Sequence, residues 1–167
     1  FLARTLVIRY PKEPLAGLVL TGTAHMPPAV SLFGLVLFSV LRIFRGGRSL
    51  PVKIDRMIFS GYNRKFVPAR TTHDWLTREN DIVDAYISDP MCGFTITTAS
   101  YQVLMKGLFE IAGKGRIRKM NPALPVLIAS GSCDTVGGCG TGPIQVARQF
   151  ADAGVEQVQT ILYPDAR

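Results

Sequence analysis

The sequence predicts an α/β chain, a mostly parallel sheet interrupted by a long helical insertion. Three observations lead there. Leu18-Val19-Leu20 and Pro125-Val126-Leu127-Ile128-Ala129 are apolar throughout, the pattern of strands covered on both faces in parallel sheets. The second run leads into a glycine-rich loop, an amphipathic helical stretch and a further strand-like run, the order of a βαβ unit. Between the two apolar runs the periodicity is helical. The expected organisation is therefore core residues 1–26, a helical insertion over 27–122, and core residues 123–167.

Taken in order, Phe1 to Tyr10 is apolar nearly all round apart from Arg4, Thr5 and Arg9, and Pro11 follows, which predicts a buried helix with a proline stop. Leu15 to Thr21 is expected to be a doubly buried strand. Pro27-Pro28 breaks the chain, and Ala29 to Phe44 is its most apolar stretch. The part free of charge ends at Leu41, thirteen residues, against the roughly 20 a membrane span needs, so a transmembrane segment is not expected. Arg42 and Arg45 near the end and Gly46-Gly47 after it are conventional helix C-terminal signals.

Residues 46–100 read as turn-rich, with one helix after Thr77 and Asn80-Asp81, in which Ile82, Val83, Tyr86 and Ile87 share a face up to Asp89-Pro90. A second helix is expected from Ser100 to Ala112, with Val103, Leu104, Gly107, Leu108 and Ile111 as its apolar stripe. Pro125 to Ala129 is the second strand. Pro143 suits the first position of a helix running to Ala153, and Val155 to Tyr163 is the last strand.

Composition narrows the class. A length of 167 residues fits one domain. Apolar residues at 47% and charged residues at 19% exclude intrinsic disorder, and 16 Gly with 11 Pro, without a period, exclude collagen-like repeats. Three Cys cannot close a disulfide framework; free thiols suit a reducing cytoplasm, the expected compartment, with peripheral membrane attachment as a variant. The chain starts at Phe1 without an initiator Met and stops in mid-pattern at Arg167, so it is expected to be an internal piece of a longer protein.

Charge is concentrated. Between Arg42 and Arg78 nine basic residues face two acids, Asp55 and Asp74, which accounts for the whole net charge of +7. The bland explanation is a solvated basic surface. An anionic lipid head group or membrane surface is the functional one, because the segment follows an apolar helix. Nucleic acid is not expected, since no zinc-finger spacing, RNA-binding signature or basic helix is present.

The loop Gly131 to Gly142 holds five glycines. It lacks the Lys-Ser/Thr of a phosphate-binding loop, and no three glycines fall at G-x-G-x-x-G spacing. What remains is Asp134, an acid just past a buried strand. Such a carboxylate can orient a histidine or serve its own loop as an Asx-turn; the spacing leaves both open. Cys133 and Cys139 are not at metal-site spacing, and with two His in the chain no metal or cofactor is expected. His73 with Cys92 is a conceivable nucleophile pair, but isolated residues of these types mostly serve packing. Trp75 and the large apolar residues of the insertion fit either core or a ligand pocket.

Four parts of the chain carry a resemblance. Phe1-Leu-Ala-Arg-Thr-Leu-Val-Ile-Arg-Tyr-Pro11 resembles the helix after the nucleophile elbow of α/β-hydrolases. Pro125 to Gly138 resembles the strand and acid loop of that fold, and Val158 to Arg167 the strand leading to its catalytic His. The insertion, including Phe66 to Arg78 and Asp89 to Phe94, is similar to the cap of bacterial monoacylglycerol lipase/lysophospholipase-like hydrolases. The resemblance spans essentially the whole chain and implies a partial α/β-hydrolase fold.

It further implies a serine hydrolase acting on carboxylic esters of lipids, with Asp134 as the acid of a Ser-Asp-His triad. The Ser would precede Phe1 and the His would follow Arg167; His25 and His73 do not match the family His. By itself the piece is then expected to be inactive, because an acid without nucleophile and base does no chemistry. Leu32, Phe33, Leu37, Met91, Phe94 and Val136 are the expected lipid-contacting residues, and no cofactor or metal is implied. The alternatives are a non-catalytic lipid-binding or interaction protein on the same scaffold, and a hydrolase of other esters or peptides.

Overall fold

The computed structural model describes residues 1–167. Three strands, β1 (Leu18–Thr21), β2 (Val126–Gly131) and β3 (Val158–Tyr163), form one parallel sheet in the order β1-β2-β3. Leu18 pairs with Val126, Leu20 with Ile128, and Val126 with Val158. The crossover from β2 to β3 is α7 (Thr141–Asp152), so the βαβ unit is present. The crossover from β1 to β2 carries the helical insertion: α2 (Pro28–Arg45), α3 (Val52–Ser60), a 3-10 turn (Tyr62–Lys65), α4 (Asn80–Ser88), α5 (Thr98–Ala112) and the short α6 (Lys114–Ile117).

The main core lies on one face of the sheet. Leu18, Leu20, Val126 and Ile128 pack there with Val146 and Phe150 of α7, Ile111 of α5, and Val7 and Ile8 of α1 (Leu2–Arg9). Alternation of side chains across the pleat sends Val19 to the other face, where it is 64% exposed. The doubly buried β1 expected from its continuous apolar run is therefore corrected: α1 and α7 share one face, and none of these helices covers Val19. The expectation that α1 is buried all round is corrected in the same way. Val7 and Ile8 are buried, Leu2 and Leu6 are exposed, and the inward position one turn earlier is held by Arg4.

A second, smaller core forms where α2 crosses α5. Ser31, Gly34 and Phe38 are the buried stripe of α2, and Thr98, Tyr101 and Met105 that of α5, both at helical spacing. Phe38 stacks on Tyr101 with centroids 4.7 Å apart and planes 7° from parallel. Gly34 lets Met105 in: a Cβ there would lie 2.7 Å from its sulfur. The predicted α5 stripe is thus rotated. Val103 is exposed, because α5 is apolar on several faces and contact with α2 selects Tyr101 and Met105. Leu104 and Leu108 flank this second core, and Gly107 admits the Phe1 ring.

Residues 46–100 hold more helix than predicted. Ile54 and Ile58 of α3 pack one turn apart against the second core, a spacing hidden by Lys53, Asp55 and Arg56. In α4 only Val83 is buried, while Ile82 and Ile87 face outward, which corrects the shared face predicted for them. Its N-cap is Glu79 without a side-chain bond, and Thr77 instead accepts from the Glu79 amide at 3.3 Å. At 18 residues α2 is longer than its charge-free run and is, by length and composition, the one helix able to cross a membrane. The stripe of Ser31, Gly34 and Phe38 packs on α5, and two arginines stand in the last turn of α2.

Candidate functional site

The acid loop starts where β2 ends. Gly131 must be glycine, because a Cβ there would overlap the Ala166 carbonyl and lie 2.9 Å from the Arg167 amide. The loop closes on α7 through Gly140, whose φ of +85° suits a residue without a Cβ. Asp134 Oδ1 accepts the amides of Val136 at 2.9 Å and Gly137 at 3.1 Å, and its carbonyl accepts the Cys139 amide at 2.7 Å. That is an Asx-turn. The second oxygen is used differently: Oδ2 has only the Ser130 hydroxyl, at 3.4 Å. A carboxylate has about four acceptor positions, so Oδ2 retains capacity for another donor. Gly22 and Gly137 border it, and Cβ atoms on them would stand 3.8 and 3.1 Å away. The Asx-turn is thus made through Oδ1 alone, and Oδ2 is left with the single Ser130 contact.

Neighbouring segments close around this loop. Asp165 donates its amide to Ser132 Oγ at 2.9 Å, and the Cys133 amide donates to Ala166 O at 2.8 Å, so the turn after β3 lies directly on the acid loop. The Arg167 guanidinium stacks on Phe66, 3.9 Å from its centroid, and donates to the carbonyls of Asp74 and Thr77. Lys65 Nζ donates to Cys139 Sγ at 3.1 Å. Burial, and secondly the charge of Asp134, push the Tyr62 phenol above its ordinary value. Tyr62 packs against Trp75 with centroids 5.2 Å apart.

Beyond Trp75 opens a cavity of about 750 Å³ between α3, α4 and the segments 72–75 and 91–96. Met91 and Phe94 line it, as do Phe59, Trp75, Tyr86 and Ile96, with Asp55 and His73 among its polar groups. Asp55 accepts the Tyr101 hydroxyl and the Thr95 hydroxyl, the latter at 3.1 Å; burial and this carboxylate push the Tyr101 phenol up.

The expected lipid contacts are therefore split. Met91 and Phe94 share the cavity, Val136 is on the acid loop, and Leu32, Phe33 and Leu37 lie on α2 and do not line the cavity. Phe33 is 70% exposed. His73 and Cys92 both line the cavity, but burial and then Asp89 push the Cys92 thiol up, the opposite of what a nucleophilic thiolate requires. No group of three metal-binding side chains converges anywhere. Sequence reasoning missed Tyr62, Lys65 and Asp55; the spacing of Ile54, Ile58 and Phe59 was the signal for the helix that brings Asp55 to the cavity.

Among curated proteins, none matches the chain. Among solved structures it is similar to a thermostable carboxyl esterase from Bacillus coagulans in complex with glycerol, at 24% identity and TM-score 0.85, covering 99% of this chain and 53% of that one. It is also similar to a lipase in its open form, at 22% identity and TM-score 0.79, covering 99% and 53% of the two chains. The monoacylglycerol lipase of Paleococcus ferrophilus follows at 21% identity and TM-score 0.60, covering 98% and 55%. The chain thus spans about half the length of each, and its parallel sheet with helices is a partial α/β-hydrolase fold. The family described as serine aminopeptidase, S33, matches residues 1–167. The chain belongs to that serine hydrolase family.

Proposed function

We propose that the protein carrying this chain hydrolyses carboxylic esters of lipids, of the monoacylglycerol or lysophospholipid type, with Asp134 as its triad acid. The observation that carries this reading is the divided use of the Asp134 carboxylate. Two main-chain amides hold Oδ1, while Oδ2 is free to accept an imidazole N–H. In that role Asp134 holds the histidine in the tautomer that can take the serine proton, and stabilises the imidazolium that forms. The serine oxygen then attacks the ester carbonyl, donors for the oxyanion hold the tetrahedral intermediate, and water releases the acyl group. Nucleophile, base and oxyanion donors belong to the proposal and lie outside the 167 residues described.

Residues 27–122 act in this reading as the cap. Met91 and Phe94 contact substrate in the cavity, Val136 does so beside the acid, and Leu32, Phe33 and Leu37 form an acyl-chain wall on α2. The exposed apolar side of α2, ending in Arg42 and Arg45, supports docking on an anionic lipid surface.

The test is Asp134→Asn in the intact protein. Asparagine keeps an oxygen for Val136 and Gly137, so folding is expected to survive. It puts an N–H₂ at the free position, and kcat on a monoacylglycerol is expected to fall about 10³–10⁴-fold. Full retained activity would overturn the assignment. The family description makes a peptide substrate the second reading; an aminoacyl anilide assayed beside the lipid esters separates the two. A lipid-binding protein without chemistry would bind vesicles and turn over neither.

A further inference from the structure

Arg4 is the one charged side chain in the buried core, 3% exposed, and it takes part in neither of the two ion pairs of the molecule. A buried cation without a carboxylate has to be held by oriented dipoles. Its Nη1 donates to Ala24 O at 3.2 Å and its Nη2 to Ile111 O at 3.3 Å, while the guanidinium lies 5.8 Å from the centroid of Phe150 and Nε has no partner. Ile111 sits in the last turn of α5, where carbonyls lack intrahelical partners and the helix dipole is negative, and the Gly113 amide closes that end without a hydrogen bond back into the helix. Arg4 therefore caps α5 from another element.

The two acceptors are far apart in sequence but equivalent in topology. Ala24 lies where the chain leaves β1 for the helical layer, and Ile111 where it comes back. The segment around Ala24 also passes the acid loop and its exit into α7: a Cβ on Gly22 would lie 3.8 Å from Asp134 Oδ2, and one on Gly142 3.1 Å from the His25 amide. One guanidinium thus grips both connections between layers, on the segment that passes the loop carrying Asp134.

We propose that Arg4 is a positioning residue that pins both cap connections to the core and so fixes the posture of the cap over the Asp134 loop. The proposal rests on the reading of residues 27–122 as a cap, but its main test does not require the protein to be an esterase. Arg4→Met preserves length and packing and removes every donor. Arg4→Lys keeps a single-point cation that reaches one carbonyl. Hydrogen exchange of the intact protein is followed in peptides spanning 22–31 and 108–117, with 126–131 and 144–150 as core references.

Arg4→Met is expected to speed exchange at both connections together, about tenfold or more, as for the loss of a charge-assisted hydrogen bond, with the references unchanged. Arg4→Lys is expected to restore one connection. If the protein hydrolyses lipid esters, KM for a long-chain ester rises in Arg4→Met while kcat for an acetyl ester is unchanged. Equal acceleration everywhere, no acceleration at the connections, or failure of both variants to fold would make Arg4 an ordinary core residue and overturn the proposal. An intact protein without esterase activity would refute the function proposed above, and the exchange result would still decide this one.

Discussion

Gly142→Ala is a small change with a large local consequence. Gly142 is the second residue of α7, and there helix propensity favours alanine by about 1 kcal/mol. Sterics oppose it. The new Cβ would lie 2.7 Å from Gly137 O and 3.1 Å from the His25 amide, whereas ordinary contact begins near 3.4 Å. Gly137 O must then retreat by about 0.7 Å and His25 N by about 0.3 Å on these distances. Both are main-chain atoms held by other bonds. Gly137 O accepts the Gly142 amide at 2.8 Å, and Gly137 N donates to Asp134 Oδ1 at 3.1 Å. Overpacking of this kind costs about 2–3 kcal/mol, which leaves a net loss of about 1–2 kcal/mol after the helical gain. For a domain of this size the melting temperature should fall by roughly 2–8 °C, followed by circular dichroism. The comparison is Gly115→Ala, where no atom lies within 4 Å of the added methyl and the melting temperature is expected to hold or rise. In the intact protein Gly142→Ala should also lower kcat, because the displaced Gly137 amide is one of the two that aim Asp134. A Gly142→Ala protein as stable as Gly115→Ala would refute the reasoning.

Phe38→Ala empties the centre of the α2–α5 contact and removes the stacked partner of Tyr101. A loss of about 3 kcal/mol is expected, read as a shift in urea midpoint without a change of slope, and a loss under about 1 kcal/mol would mean that the two helices close over the gap. His25 is held below its ordinary pKa of 6.5 by burial first and the charge of Arg4 second, with the neighbouring Gln149 side chain opposing. The unfolded chain therefore binds the proton more readily. Stability from this group is full above pH 6.5 and falls as the pH drops through that value toward the folded-state pKa. His25→Gln should flatten that part of the stability profile, and an unchanged profile would assign the slope to other groups.

The core strands, the βαβ unit, the acid-bearing loop and the helices α2 and α5 were legible in the sequence because each is written locally, in apolar runs, glycine clusters and helical spacing. Asp134 stood out by position for the same reason. The errors have one origin. Apolar content does not say which side of an element is buried when several sides are apolar. Val19, Val103 and Ile82 all looked internal, and all three are exposed because their neighbours pack on the other side. The α3 helix was masked by its charges, although Ile54 and Ile58 carry the packing.

The sequence by itself determined the fold class, the parallel strands and Asp134, in the loop after β2, as a candidate acid, since these depend on short-range periodicity and turn chemistry. Only the tertiary structure decided how the Asp134 oxygens divide their bonds, that Tyr62 and Lys65 reach the acid loop, and that Arg4 is buried between Ala24 and Ile111. The Lys65 and Arg4 contacts join residues 20 to 107 positions apart. No local pattern encodes them, because they exist only once the helical layer has docked on the sheet.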